Sequence, residues 1–163
     1  MDHFKLKNDT VVLPNDLRKV VGAVADKYFA RTKKGFVVTS GLRTPASQAA
    51  AMYAKLAKGD TLAIYKDQRS AGEVGDAFRA GRASGLLREA IIASLVKVIR
   101  RQVTEGRFLS LHLTGRAADV RSVDMTPGEQ DAFKQAVIQV VGTPPIFEDK
   151  PPHFHFQMKR APA

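Results

Sequence analysis

Near its C-terminus the chain reads Pro152-His153-Phe154-His155-Phe156, an alternation of imidazole and phenyl side chains. Successive side chains of a strand point to opposite faces, so in a strand Phe154 and Phe156 share one face while His153 and His155 share the other. The phenylalanines then enter a core and the imidazoles face a cleft. An edge strand with two solvated histidines would explain the phenylalanine positions equally well.

Other segments supply partners for that strand. Phe36-Val37-Val38-Thr39-Ser40 is short and β-branched, and reads as a buried strand ending at Gly41. Phe108–Leu113 is a candidate strand, Val120-Arg121-Ser122-Val123 another, and Phe147 lies in a further short one. Between them run helices. Leu17, Val20, Val21, Val24 and Tyr28 recur at helical spacing from about Pro14 to Ala30. Thr44-Pro45 offers an N-cap and a first-turn proline for the Ala-rich run to Ala57. From about Gly85 to Val103, Leu87, Ile91, Leu95 and Val98 line one face, widened by Ile92, Val96 and Ile99, which predicts a well-buried central helix. Thr126-Pro127-Gly128-Glu129 is a capping box opening a helix through Phe133, Val137 and Val141 that stops at Gly142. The stretch 61–84 turns to Gly, Arg, Lys and Asp, and reads as a long mobile insertion. The order of elements predicts an α+β fold with a small, mostly antiparallel sheet packed by helices. At 163 residues the chain is expected to form a single domain around one core.

Cysteine is absent, which excludes disulfides, thiolate metal sites and cysteine nucleophiles. Lys and Arg total 26 against 16 Asp and Glu, a formal charge of +10 that favours an anionic partner such as nucleic acid, an anionic membrane surface or a bacterial cell wall. The first residues carry no apolar signal-peptide core, and no apolar run approaches the ~20 residues that span a bilayer. The expectation is a chain made in the cytoplasm without a signal peptide and without a transmembrane segment.

A second histidine segment, Ser110-Leu111-His112-Leu113-Thr114-Gly115-Arg116-Ala117-Ala118-Asp119, sets a histidine and an aspartate seven positions apart. Thr114-Gly115 argues against a continuous helix here. A strand, a turn at Gly115 and a returning strand would bring the two side chains together, with Ala117 and Ala118 leaving room for close backbone approach. Two imidazoles and one carboxylate form a recurrent ligand set for a catalytic zinc, because three protein donors leave a fourth position for water or substrate.

The pattern Ser-x-His-x-x-Gly-x-Ala-x-Asp resembles the first zinc motif of the bacterial D-alanyl-D-alanine carboxypeptidases and dipeptidases, which share a fold with penicillin-insensitive murein endopeptidases and the hedgehog signalling domain. His153-Phe154-His155 resembles the second motif as murein endopeptidases carry it. Thr39-Ser40-Gly41-Leu42-Arg43-Thr44, followed by Gln48, resembles the Ser-Gly-Tyr-Arg-Ser stretch and downstream Gln of the carboxypeptidases. The three matches occur in the family's order. The resemblance implies the hedgehog and D,D-peptidase type of zinc fold, with His112, Asp119 and His155 binding Zn2+ and His153 beside the metal. It implies Arg43, Gln48 and Ser110 as substrate-binding residues, with Arg43 clamping a carboxylate or stabilising the oxyanion.

The general base stays open. The carboxypeptidases place a Glu three residues before the third ligand, where this chain has Pro152. Glu148 and Asp149 lie slightly upstream, on a segment that Pro151-Pro152 would hold extended, and His153 is the third candidate. The activity implied is zinc-dependent hydrolysis of peptidoglycan stem peptides or cross-links, as carboxypeptidase or endopeptidase. Such an enzyme would work as an endolysin released at lysis, or as an antibacterial effector with a cognate immunity protein. Two other classes remain: a basic nucleic-acid-binding domain or nuclease, and an inactive zinc-binding adhesion module. Against the first, aromatics are only 7%, Trp is absent and no nucleic-acid motif appears, so no specific nucleic acid is expected.

Overall fold

A computed structural model describes residues 2–158. In chain order the elements are β1 (Phe4–Leu6), α1 (Asn15–Thr32), β2 (Phe36–Ser40), α2 (Pro45–Ala57), α3 (Gln68–Ala83), α4 (Arg88–Thr104), a 3-10 turn (Leu111–Thr114), β3 (Ala117–Arg121), α5 (Pro127–Val141), β4 (Ile146–Asp149) and β5 (Pro152–Gln157). The fold is α+β. Contacts divide it into two compact units, residues 1–42 with 115–163, and residues 43–114. In place of the one core expected from length, buried apolar side chains form two clusters, one in each unit.

The first unit holds a five-stranded sheet in the order β1-β2-β3-β5-β4. Three pairings are antiparallel, but β1 runs parallel to β2, so the sheet is mixed where a mostly antiparallel one was expected. A three-residue strand carries no periodicity of its own, and β1 forms because the longer β2 gives it a register, Phe4 to Phe36 and Leu6 to Val38. The alternation in β5 behaves as its sequence dictates. Phe154 and Phe156 are buried, together with their register partners Val120 and Ala118.

That apolar face is closed by α1 and α5. Leu17, Val21, Val24, Ala25 and Tyr28 form the buried stripe of α1 at helical spacing. Helix α5 starts in the expected capping box, Thr126 accepting from the Glu129 N–H while the Glu129 carboxylate accepts from the Thr126 N–H, and ends at Gly142, whose φ of 81° suits glycine. Phe133 of α5 is fully buried, with its ring 5.2 Å from Phe154, 5.3 Å from Phe36 and 6.1 Å from Tyr28. Each such side chain is worth about 1.5–3 kcal/mol of burial.

The second unit is helical. Thr44 caps α2 through the Ser47 N–H with Pro45 in the first turn, as the sequence requires. Within the stretch 61–84, read from sequence as an insertion, Gln68–Ala83 forms the helix α3. Asp67 caps it by accepting from the Ser70 N–H, and Ala71, Val74 and Phe78 are buried on one side. Gly81 serves packing: a Cβ there would stand 2.8 Å from Ile91 Cγ1. Helix α4 packs against both α2 and α3, with Ile91, Leu95, Ile99 and Gln102 buried and Ile92, Val96 and Val98 partly buried against the same cluster. Leu87, expected in the stripe, precedes the helix and is 79% exposed. The expected strand over Phe108–Leu113 is also absent. Ser110 carbonyl accepts from the Leu113 N–H, the Thr114 hydroxyl donates to the Leu111 carbonyl, and the chain coils into the 3-10 turn.

Candidate metal centre

The second face of the sheet carries the polar residues that the sequence singles out. Directly paired residues of neighbouring strands share a face. Asp119 pairs with His155 and, one step along, Arg121 pairs with His153; across β4 and β5, Glu148 pairs with His153 and Ile146 with His155. Phe147, between Ile146 and Glu148, points the other way and its ring lies 5.5 Å from Phe154.

These rows produce close polar contacts. His155 Nδ1 is 2.9 Å from Asp119 Oδ1, and His155 Nε2 is 3.0 Å from Gln157 Nε2. His153 Nε2 stands 3.6 Å from Glu148 Oε2 and 3.9 Å from Asp119 Oδ1, while its Nδ1 is 2.6 Å from the Pro151 carbonyl. A ring nitrogen so close to a carbonyl donates to it, so His153 Nδ1 carries a proton. Arg121, in the His153 row, donates to Asp124 at 2.6 Å and holds that carboxyl below the usual carboxylate range.

The loop at 110–114 presents His112. Ser110 Oγ accepts from the His112 N–H at 3.3 Å, and the Arg43 N–H donates to the His112 carbonyl at 2.9 Å, tying the 3-10 turn to the start of α2. Gly115 then takes φ of 67°, and a Cβ there would stand 2.7 Å from Pro14 Cγ. Only glycine turns the chain from the histidine into β3. Arg43 Nη1 donates to Gln48 Oε1 at 3.3 Å, and Gln48 is fully buried with no hydrogen-bond partner for Nε2 among the described residues.

His112, Asp119 and His155 each offer one ligand atom, and these atoms all lie within 4.8 Å of one another. All three residues are less than a tenth exposed. Ligands about 2.0–2.2 Å from a tetrahedral cation stand roughly 3.4 Å apart, which is the order of separation found here. Two imidazoles and a carboxylate suit a divalent transition metal, and the group could hold one.

Of the three base candidates, Glu148 and His153 share the face of the centre, whereas Asp149 is exposed at the end of β4, one step out of phase with Glu148. The segment carrying the two carboxylates is paired as a hairpin strand, not merely held extended by the prolines. One residue of this face is missing from the motif reading, Gln157. Its signal was available: it lies two positions beyond His155 and continues the same alternation. No helix among the described residues is long and apolar enough to cross a membrane.

No family model, curated protein or solved structure matches the chain.

Proposed function

We propose that the chain is a zinc-dependent peptidase of the hedgehog and D,D-carboxypeptidase type, hydrolysing the stem peptides or cross-links of peptidoglycan. The observation that carries this reading is the gathering of His112, Asp119 and His155, from two motifs far apart in sequence, into one buried donor set. An accidental cluster of polar groups would cost more than it returns when buried, unless the groups are paired or hold a metal.

Zinc bound by such a set supplies an acidified water and a polarised scissile carbonyl. The chain's own residues then handle protons and charge. Glu148 Oε2 and His153 Nε2, 3.6 Å apart, form an acceptor pair on the same sheet face, with Glu148 as the base that takes the water's proton and later returns it to the leaving amine. His153, with Nδ1 held by the Pro151 carbonyl, keeps a fixed ring orientation beside Glu148. Arg43 offers its guanidinium fork to a substrate carboxylate, and Gln48 braces that fork. The net charge of +10 holds the protein on an anionic polymer.

Digestion of purified peptidoglycan by zinc-loaded and by chelated protein, with released muropeptides identified by mass, tests the reading. Fragments from the loaded protein alone support it and identify the bond. Digestion that ignores the chelator, or none with loaded protein, overturns it.

A further inference from the structure

Helices α3 and α4 pack against one another and are joined by the short link Ser84-Gly85-Leu86-Leu87. Backbone bonds close the link: the Gly85 N–H donates to the Arg82 carbonyl at 3.1 Å and the Leu86 N–H to the Gly81 carbonyl at 3.0 Å, with Gly85 at a φ of 67°. Helices that end in this way commonly rest the side chain in the place of Leu86 on the one in the place of Gly81. Gly81 has no side chain to offer, and Leu86 stays 44% exposed. Leu87 occupies the position just before α4, where Ser, Thr, Asp or Asn would accept a backbone hydrogen bond, and it makes no such cap. It is 79% exposed. Every residue from Arg82 to Ala90 is exposed, so two adjacent leucines stand in water at the tip of a helical hairpin. Folding does not account for them, because stability favours a polar residue at position 87.

Arginines flank the pair. Arg79 and Arg82 are three apart on α3 and therefore neighbours on its surface, and Arg88 follows Leu87 directly. Arg79 pairs with Asp76 and Arg88 with Glu89, but all four side chains are well exposed and such pairs are weak. Arg82 makes no ion pair among the described residues, and Glu89 is the single acid between positions 79 and 90. We propose that this tip docks on an anionic phospholipid surface, Leu86 and Leu87 entering the boundary between headgroups and acyl chains while Arg82 and Arg88 meet lipid phosphates. A hydrated anionic glycan would attract the arginines but give the leucines no reason to leave water. A bilayer boundary serves both, and neither group alone suffices: stable peripheral binding takes an apolar anchor together with a basic patch. The docking uses the helical unit alone and requires no metal.

The test is co-sedimentation of the full chain with vesicles of phosphatidylcholine mixed with phosphatidylglycerol, beside vesicles of phosphatidylcholine alone. Wild type should bind the mixed vesicles and leave the neutral ones in solution. The double variant Leu86→Ser/Leu87→Ser should bind about 10-fold more weakly or worse, the loss expected from one buried leucine upward. Arg82→Gln and Arg88→Gln should each cost roughly 5-fold. Leu87→Ser alone should unfold at the same temperature as wild type or higher, since serine caps α4; a lower temperature would assign Leu87 to the fold and overturn the docking role. The chain has no tryptophan, so Leu87→Trp sets a lone fluorophore at the tip, and its emission should shift to the blue on mixed vesicles only. The proposal is overturned by wild type that ignores the mixed vesicles or binds neutral ones equally, by serine variants that bind like wild type, or by an indole that stays unshifted on bound protein. A wild-type dimer that the double serine variant abolishes, with vesicle binding retained, overturns it in favour of a second copy of the chain on the leucines.

Discussion

His155 Nδ1 stands 2.9 Å from Asp119 Oδ1, and the same two residues are register partners in the antiparallel pairing of β3 with β5. The backbone ladder therefore holds these two side chains next to one another on one face of the sheet. The third donor, His112, comes from a short turn whose geometry depends on Ser110 and Gly115.

Removing a donor should empty the centre. His112→Ala and Asp119→Ala are each expected to drop bound zinc from about one ion per chain to about none, with peptidoglycan turnover lost in parallel. Metal analysis of the purified variants, beside circular dichroism to establish folding, checks this. A folded variant that keeps its full metal content removes that residue from the ligand set.

The sheet register separates the two carboxylates that the sequence leaves level. Glu148 pairs with His153 on the face of the centre, and Asp149 is one step out of phase and exposed. Glu148→Gln should keep zinc and lose about 10²- to 10⁴-fold in turnover, the usual cost of a missing general base. Asp149→Asn should stay near wild type. The reverse ranking would move the base to Asp149, and two near-normal variants would move it to His153.

Phe133 is the meeting point of the sheet and its helices, touching Tyr28, Phe36, Phe154 and Phe156. Phe133→Ala should cost about 3–5 kcal/mol, the range for truncating a fully buried aromatic ring. Urea unfolding of the two proteins gives the difference. A loss below about 1 kcal/mol would mean that the cluster repacks around the gap.

What the sequence makes legible is what local chemistry decides. Thr44, the Thr126–Glu129 box and Gly142 mark helix ends through bonds made within a few residues, and the His-Phe alternation of β5 marks two faces without reference to the rest of the chain. Elements that owe their form to distant partners are not legible in this way. Strand β1 exists by pairing with β2, and α3 was masked by Gly72, Gly75 and Gly81, although Asp67 with Ser70 and the 71, 74, 78 spacing were local signs of it. The donor set was legible from its motifs. The preference for Glu148 over Asp149 was not, because it follows from which residue of β4 faces His153.

Glu73 supplies a pH-dependent contribution to the helical unit. Its carboxylate accepts from Gln102 Nε2 at 3.0 Å and from Arg107 Nη2 at 3.0 Å, with Arg101 at 3.2 Å, and these bonds pull its pKa from 4.5 down to about 2. Arg107 also donates to Ser70 Oγ at 2.7 Å, so the cluster joins the start of α3 to the chain just after α4. A carboxyl whose folded pKa lies below its unfolded one adds stability that is complete above about pH 4.5 and drains away as the pH falls toward 2. Glu73→Gln keeps the shape and one acceptor but not the charge. The variant should therefore be less stable than wild type at neutral pH, and the gap should narrow steadily below about pH 4.5. Urea unfolding of both proteins at several pH values measures it. A gap that stays constant across that window would assign the cluster's stability to neutral hydrogen bonding and packing, leaving the ionised carboxylate no part in it.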